Sequence, residues 1–294
     1  MDRREALRRL GFYAAAVGML GCGDAAGGDG PGAEAGRASA ADREGGTLLS
    51  SLGLQLYTIR GEMEAGVEAA LQRVAEIGYE EVEFAGYFDH GPSEIRAILD
   101  RTGLRSPASH VPPTLEGDAW QRVLDDALEI GHDYVVVAWL PPETRTTRDD
   151  WYRWTERMNR AGEAARDAGL TFAYHNHDFE FREVGGELPF NVLFENTDPA
   201  LVQIELDVFW ITHAGHDAVE VFRRWPGRIP TIHVKDRTAG GEMADVGSGV
   251  IDWPSILAEA ELAGVRHPFV EHDEPDGAYR SVAASFRYLE TLEI

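Results

Sequence analysis

From residue 47 onward the chain alternates between two spacings of apolar side chains. Short runs rich in β-branched and aromatic residues are each followed by a longer stretch in which apolar positions recur every three or four residues. The pattern predicts strands at Leu52–Thr58, Glu81–Ala85, Ser106–Val111, Tyr134–Trp139, Leu170–His175, Val202–Asp207, Ile229–Lys235 and His267–Glu271. It predicts helices at Val67–Ile77, Ser93–Arg101, Ala119–Ile130, Trp151–Ala168, Ala218–Trp225, Trp253–Ala263 and Ala278–Leu292. In the first of these, Val67, Ala70, Leu71, Val74 and Ile77 share one face, with charge opposite. Gly78, Gly103, Gly131, Gly169 and Gly264 stand where helices end in a left-handed cap. After His175 a loop rich in Phe and Glu leads to a short helix near Phe190–Asn196. Strand and helix repeated eight times predict a closed (β/α)8 TIM barrel in a single domain, 47–294. An open doubly wound sheet is the weaker alternative. It needs a Gly-rich phosphate loop after the first strand, and here that strand runs into Tyr57-Thr58-Ile59-Arg60.

The first 46 residues read differently. Arg3, Arg4, Arg8 and Arg9 precede an apolar stretch from Leu10 to Leu20, the layout of an export signal over residues 1–22. The Arg3-Arg4 pair followed by Leu7 resembles a twin-arginine (Tat) signal peptide, and Met19-Leu20-Gly21-Cys22 resembles a lipobox. Cys22 is the only cysteine, so the chain has no disulfide framework, and it falls where lipidation requires it. The other reading is a short helix with an incidental Cys. Residues 23–46 contain no Val, Ile, Leu, Met or aromatic residue and are expected to be a disordered linker. The expected location is therefore periplasmic, or at a membrane as an anchored lipoprotein.

Charge narrows the partners. Asp and Glu number 51 against 27 Lys and Arg, a formal net charge of −24. Such a surface repels phosphate backbones and anionic lipids, which argues against nucleic acid and leaves the lipid anchor as the only membrane contact. No apolar run reaches the ~20 residues that cross a bilayer. Lys235 is the only lysine in a chain that otherwise uses Arg. A compact ammonium fits beside a metal or an enediolate oxygen where a planar guanidinium does not. The alternative is that Lys235 pairs with Asp236 or Glu205.

In a barrel of this kind chemistry sits at the carboxyl ends of the strands. Those ends carry Gln55 and Tyr57, then Glu83, His110, Trp139, His175 with His177, Asp207, His233 with Lys235, and Glu271 with His272. His175, Asp207, His233 and Glu271 close four consecutive strands. Converging imidazoles and carboxylates make a mixed nitrogen and oxygen site for one divalent ion: Mn²⁺, Co²⁺, Zn²⁺, Fe²⁺ or Mg²⁺.

Six segments carry a family resemblance: Gly53-Leu-Gln-Leu-Tyr57, Gly78-Tyr-Glu-Glu-Val-Glu83, Tyr174-His-Asn-His-Asp178, Glu205-Leu-Asp207, Ile232-His-Val-Lys-Asp236 and Val246-Gly-Ser-Gly-Val-Ile-Asp-Trp253. Together they resemble the sugar phosphate isomerase/epimerase family of xylose isomerase-like barrels. The resemblance implies a metal held by an acidic residue on strand five, an Asp on six, a His on seven and a Glu on eight. Asp207, His233 and Glu271 match the last three, whereas His175 takes the acidic position. Relatives with Tyr-His-Asn-His there include keto-inositol dehydratase-like enzymes. In ketose epimerases the strand-five and strand-eight carboxylates are the paired acid and base, and Glu180 is the nearby group that could restore the missing one. The same superfamily contains a DNA-repair endonuclease with three zinc ions. Its extra ligands are absent here, where Trp210 and Gly241-Glu-Met243 stand instead.

The chemistry implied is enolisation: a metal-bound hydroxy-carbonyl unit loses a neighbouring C–H proton to a positioned base. Return of the proton gives isomerisation or epimerisation, the leading expectation. Loss of a β-leaving group makes the enzyme a lyase or dehydratase acting on keto-sugars, keto-inositols or 3-keto-glycosides. A non-catalytic sugar-binding lipoprotein is the third reading. Glu271 and His175 are expected to ligate and trade protons, with His177, Lys235 and Glu83 as further catalytic candidates. Gln55, Tyr57, His110, Trp139 and Trp210 are expected to bind a free sugar or keto-sugar, with Tyr87 also near the mouth. His213 and His216 are expected at the surface, in a loop after strand six, and a homo-oligomer stays open. The Gly247-Ser-Gly249 turn offers backbone N–H groups to an anion.

Overall fold

The computed structural model describes residues 48–292; the expected export signal, Cys22 and linker lie outside the described residues. Strand-forming runs come out as eight parallel strands: Gly53–Gln55, Glu81–Phe84, Arg105–Val111, Tyr134–Val137, Thr171–His175, Val202–Asp207, Thr231–Val234 and His267–Val270. Each pairs with the next in sequence, and the first pairs with the eighth, closing the barrel. Outward-facing Leu54, Val82, Val135, Val137, Phe172 and Tyr174 are buried against the helices in one continuous apolar cluster. A separate cluster of Ala108, Tyr134, Val136, Ala173 and Phe269 comes from the alternate positions and fills the interior. Below it His267 Nδ1 meets Glu81 at 2.8 Å, a buried polar contact at the amino end of the strands.

The helices follow the predicted periodicity. The first runs over Val67–Ile77, and the long Arg148–Asp167 helix opens with a reciprocal capping box between Thr147 and Asp150. Gly162 of that helix lies against the neighbouring loop, where a Cβ would stand 2.2 Å from the Leu201 carbonyl oxygen. No helix among the described residues is long and apolar enough to cross a membrane.

Three departures from the expected elements bear on the site. The first strand ends at Gln55 because its side chain accepts the Tyr57 N–H at 2.9 Å, turning Leu56–Ile59 into a short 3-10 helix. A helix at Val208–His213 replaces the loop expected after strand six, since Asp207 Oδ1 caps it by accepting the Trp210 N–H at 2.9 Å. The stretch after strand seven folds back as a two-stranded ribbon, Asp236–Arg237 with Met243–Ala244. Its returning loop wraps one carboxylate: Asp236 accepts N–H groups from Arg237, Gly247, Gly249 and Ile251. A Cβ at Gly249 would lie 2.1 Å from Asp236 Oδ1, so the loop closes this tightly only around a glycine.

Candidate metal centre and active site

Strand register brings the four expected ligands together. Asp207 pairs with His233 across strands six and seven, and His175 ends strand five beside Glu205. Donor atoms of His175, Asp207, His233 and Glu271 all lie within 4.8 Å of one another, and all four residues are buried. His233 Nδ1 is 2.9 Å from Glu271 Oε2 and 3.8 Å from Asp207 Oδ2, which in turn is 3.4 Å from His175 Nε2. Two of these atoms test whether the set fits a cation. Asp207 Oδ2 and His175 Nε2 are buried without a hydrogen bond among the described residues, although a buried polar atom normally has one. The other ring nitrogen of His175 faces the Ala138 carbonyl at 3.4 Å, which assigns its proton to Nδ1 and leaves a lone pair on Nε2. Burial, reinforced by His233 and His110, pushes the His175 imidazole down, so the ring stays neutral. Burial opposes charge on His233, but Glu205 and Glu271 raise its pKa well above the ordinary value, so an ion would have to displace its Nδ1 proton; with that proton gone, two imidazoles and two carboxylates facing one small space fit a divalent ion.

Asn176 fixes the frame. Its Oδ1 accepts the Asp207 N–H at 3.0 Å, tying strand five's loop to strand six. Lys235 does not pair with Asp236 or Glu205. Its buried Nζ is 3.0 Å from Glu271 Oε2 and 3.6 Å from Asp207 Oδ2, and it donates to Asp273 Oδ1. Burial opposes its charge, but Asp273, Glu271 and Asp207 raise its pKa and keep it an ammonium. Burial likewise opposes charge on Glu271, yet Lys235 and His233 hold that carboxyl well below the usual range.

Three residues expected at the open face lie beneath it instead. Gln55, Glu83 and His110 form a buried floor with Glu205, because each is an inward position one layer below the rim. Gln55 Nε2 donates to Glu83 Oε2 at 2.8 Å, the same oxygen that faces His233 Nε2 at 2.8 Å. His110 Nε2 meets Glu205 Oε2 at 2.7 Å. Burial, then the neighbouring Glu205, raises the Glu83 carboxyl to about 7. Sealed beneath the four rim side chains, Glu83 cannot reach a substrate hydroxyl.

Tyr57, Trp139, His177 and Trp210 are half-buried and follow the carboxyl ends of strands one, four, five and six. The His177 ring packs edge-on to His175 at 4.9 Å and stacks on Phe179 at 5.4 Å, with Trp210 also 5.4 Å away. Lys235 Nζ lies 5.2 Å from the Trp210 ring. Tyr87 is not at the mouth; it packs outside the strands against Phe84 and His132. His213 and His216 are exposed, as expected. Glu180 does not restore the missing strand-five carboxylate. It is buried under the loop, accepting from Tyr174 Oη and from the His177 N–H at 2.9 Å, and burial raises it to about 7. The Gly247-Ser-Gly249 turn offers nothing to an external anion, since Asp236 takes its glycine N–H groups.

Sequence reasoning passed over Asp273, Asp236 and Glu205 as site residues. Glu205 was within reach: in Glu205-Leu-Asp207 the two-residue strand period puts both acids on one face. Asp273 follows the last strand in irregular backbone, where no period exists.

A family model for xylose isomerase-like TIM barrels matches residues 71–290. An inosose dehydratase from Geobacillus kaustophilus is 27% identical over 194 residues, covering 58% of this chain and 61% of that protein. One from Lacticaseibacillus casei is 23% identical over 193 residues, covering 59% and 64%. The match thus spans about six-tenths of these curated relatives. Among solved structures, a sugar phosphate isomerase/epimerase from Parabacteroides distasonis superposes with a TM-score of 0.72 at 27% identity, over 84% of this chain and 94% of that one.

Proposed function

Because the chain belongs to the xylose isomerase-like TIM barrel family, we propose that it is a divalent-metal-dependent lyase or dehydratase acting on an unphosphorylated keto-sugar or keto-polyol. The observation that carries this reading is the convergence of His175, Asp207, His233 and Glu271, with Asp207 Oδ2 and His175 Nε2 left unbonded. A divalent ion held by those four residues would polarise a carbonyl and stabilise the negative charge left when the adjacent C–H is deprotonated.

The chain's own residues supply the rest. Glu271, kept ionised by Lys235 and His233, takes the proton from carbon. The C–H electron pair becomes the new C=C bond, and the leaving group departs with the C–O pair. His177, half-buried beside His175, returns a proton to the departing oxygen. Tyr57, Trp139 and Trp210 offer apolar faces to the ring.

Elimination is favoured over the epimerase expected first. Epimerisation needs a second base across the substrate, and the position that would provide it is His175, whose Nε2 faces Asp207. Glu180, the other candidate, is held by Tyr174 and His177. The inosose dehydratase relatives support the same ordering. Absence of phosphate is supported by Asp236, which fills the loop after strand seven where barrels of this class often seat one. Export with lipidation at Cys22 belongs to the same proposal, since free sugars are the substrates met outside the cytoplasm.

The test is incubation with Mn²⁺, deuterated water and a panel of keto-sugars, keto-inositols and 3-keto-glycosides. Loss of the proton next to the carbonyl together with release of water or aglycone, abolished by chelator, is the expected result. Deuterium exchange with no elimination would return the reading to an epimerase. Sugar binding without turnover and without metal would make the protein a binding module.

A further inference from the structure

The floor beneath the ligands has no part in the chemistry proposed above, yet it places two glutamates, a glutamine and a histidine in the sealed interior of the barrel. Burying carboxylates costs several kcal/mol unless they are compensated. They face two rings, His110 and His233, and only the second also reaches the rim. His233 turns Nδ1 toward Glu271 and Asp207, and Nε2 toward Glu83 Oε2 at 2.8 Å and Glu205 Oε2 at 3.3 Å. The Oε2 atom of each floor carboxylate is braced, whereas Glu83 Oε1 and Glu205 Oε1 are buried without a hydrogen bond among the described residues. Gln55 donates to Glu83 at 2.8 Å and is itself fixed by the Tyr57 N–H at 2.9 Å, while His110 meets Glu205 at 2.7 Å.

We infer that Glu83 and Glu205 are positioning residues that hold the N–H of His233 on Nε2, so that its Nδ1 lone pair is committed to an ion at the rim. This rests on the metal reading above. A neutral imidazole carries one proton, and whichever nitrogen holds it is lost as a ligand. With acceptors on both sides the ring alone has no preference; two carboxylates under Nε2 decide the tautomer and fix the ring's orientation. The floor is itself a compact set of two imidazoles and two carboxylates that could hold a cation. Its atoms meet at 2.7 and 2.8 Å, with longer approaches of 3.3 and 3.6 Å; the rim has one short contact, His233 Nδ1 to Glu271 at 2.9 Å, and Asp207 Oδ2 stands 3.4–3.8 Å from its neighbours there. One ring cannot give both lone pairs without losing its last proton, so the two sets compete for His233 and the floor serves as hydrogen-bond acceptor.

The experiment uses the purified protein, stripped and reloaded with Zn²⁺. Histidine-selective ¹⁵N spectra of the loaded wild type should show His233, assigned by comparison with His233→Gln, protonated at Nε2 and ligated at Nδ1. Competition titrations should show Zn²⁺ affinity falling about 10–100-fold in Glu83→Gln, which keeps the acceptor's place and loses its charge. Glu83→Asp, which keeps the charge and retracts the oxygen, should recover part of the loss. A proton on Nδ1 with the ion on Nε2 overturns the inference, and needs no variant to be seen. So does wild-type affinity in a folded Glu83→Gln, Glu205→Gln double variant. Retention of Zn²⁺ by Asp207→Asn with loss in Glu205→Gln would place the ion in the floor and overturn it as well. Failure of the wild type to bind Zn²⁺ or Mn²⁺ at all would instead bring down the metal reading itself.

Discussion

Replacing Lys235 with Met leaves a similar volume without the charge, and the geometry says what that exposes. The ammonium is the shared counter-ion of Glu271 at 3.0 Å, Asp207 at 3.6 Å and Asp273, and it is 1% exposed. Removing one partner of a buried charge cluster costs about 3–5 kcal/mol, because the carboxylates left behind have neither water nor a cation. For a domain of this size each kcal/mol moves the melting temperature by about 2–4 °C, so the variant should melt about 6–20 °C below wild type in chelator. A divalent ion among the same carboxylates would restore the compensation. Saturating Mn²⁺ should therefore raise the melting temperature of Lys235→Met more than that of wild type, narrowing the gap. Differential scanning calorimetry with chelator and with Mn²⁺ gives all four values. Equal melting of the two proteins in chelator, or a gap that Mn²⁺ leaves unchanged, would refute the reasoning. Full turnover by Lys235→Arg would separately remove the lysine from the chemistry.

Other consequences are checked more simply. Burial holds His132 at about 4, below its ordinary 6.5, so the fold accepts only the neutral ring. The stability this contributes is whole above pH 6.5 and is lost as pH falls toward 4, by about 3 kcal/mol. Urea melts of wild type and His132→Gln between pH 4 and 7 should converge accordingly, and parallel curves would contradict the assignment. Asp236→Ala strips the acceptor from four backbone N–H groups, each bond to a carboxylate being worth about 1.5–3 kcal/mol. Amide exchange at Gly247, Gly249 and Ile251 should quicken at least tenfold, whereas unchanged protection would mean the loop holds itself. Cys22→Ser should abolish labelling by radioactive palmitate and move the protein from membrane to soluble fractions; continued labelling would dismiss lipidation at that residue.

The convergence of His175, Asp207, His233 and Glu271 was legible in the sequence because strands have a fixed period. Once strands five to eight were located, these residues fell at or beside the strand ends: His175 and Asp207 close their strands, His233 is next to last and Glu271 follows the last residue of strand eight. Depth was not legible. Gln55 ends its strand as Asp207 does, and Glu83 is next to last in its own, but the stagger that closes a barrel sets them a layer lower, and stagger is a property of all eight strands at once. The helix at Val208–His213 escaped notice because Asp207, a candidate ligand, doubles as its cap, and nothing local separates those uses. Glu180 sits close to His175 in sequence yet faces away, since the turn at Phe179–Phe181 brings it back under Tyr174. Asp236 looked like an ordinary end-of-strand acid until its partners, eleven to fifteen residues ahead, folded around it.

Asp207 presents one oxygen to the prospective ion and the other to the helix that carries Trp210. The two halves of the pocket, inorganic and aromatic, are thereby yoked through a single side chain. Remodelling the Trp210 wall to admit a bulkier sugar would tug on the ligand field, and exchanging Asp207 for Glu would displace both together. Diversification of substrate range has a freer hand on the opposite bank, at Tyr57 and Trp139, where no ligand doubles as a cap.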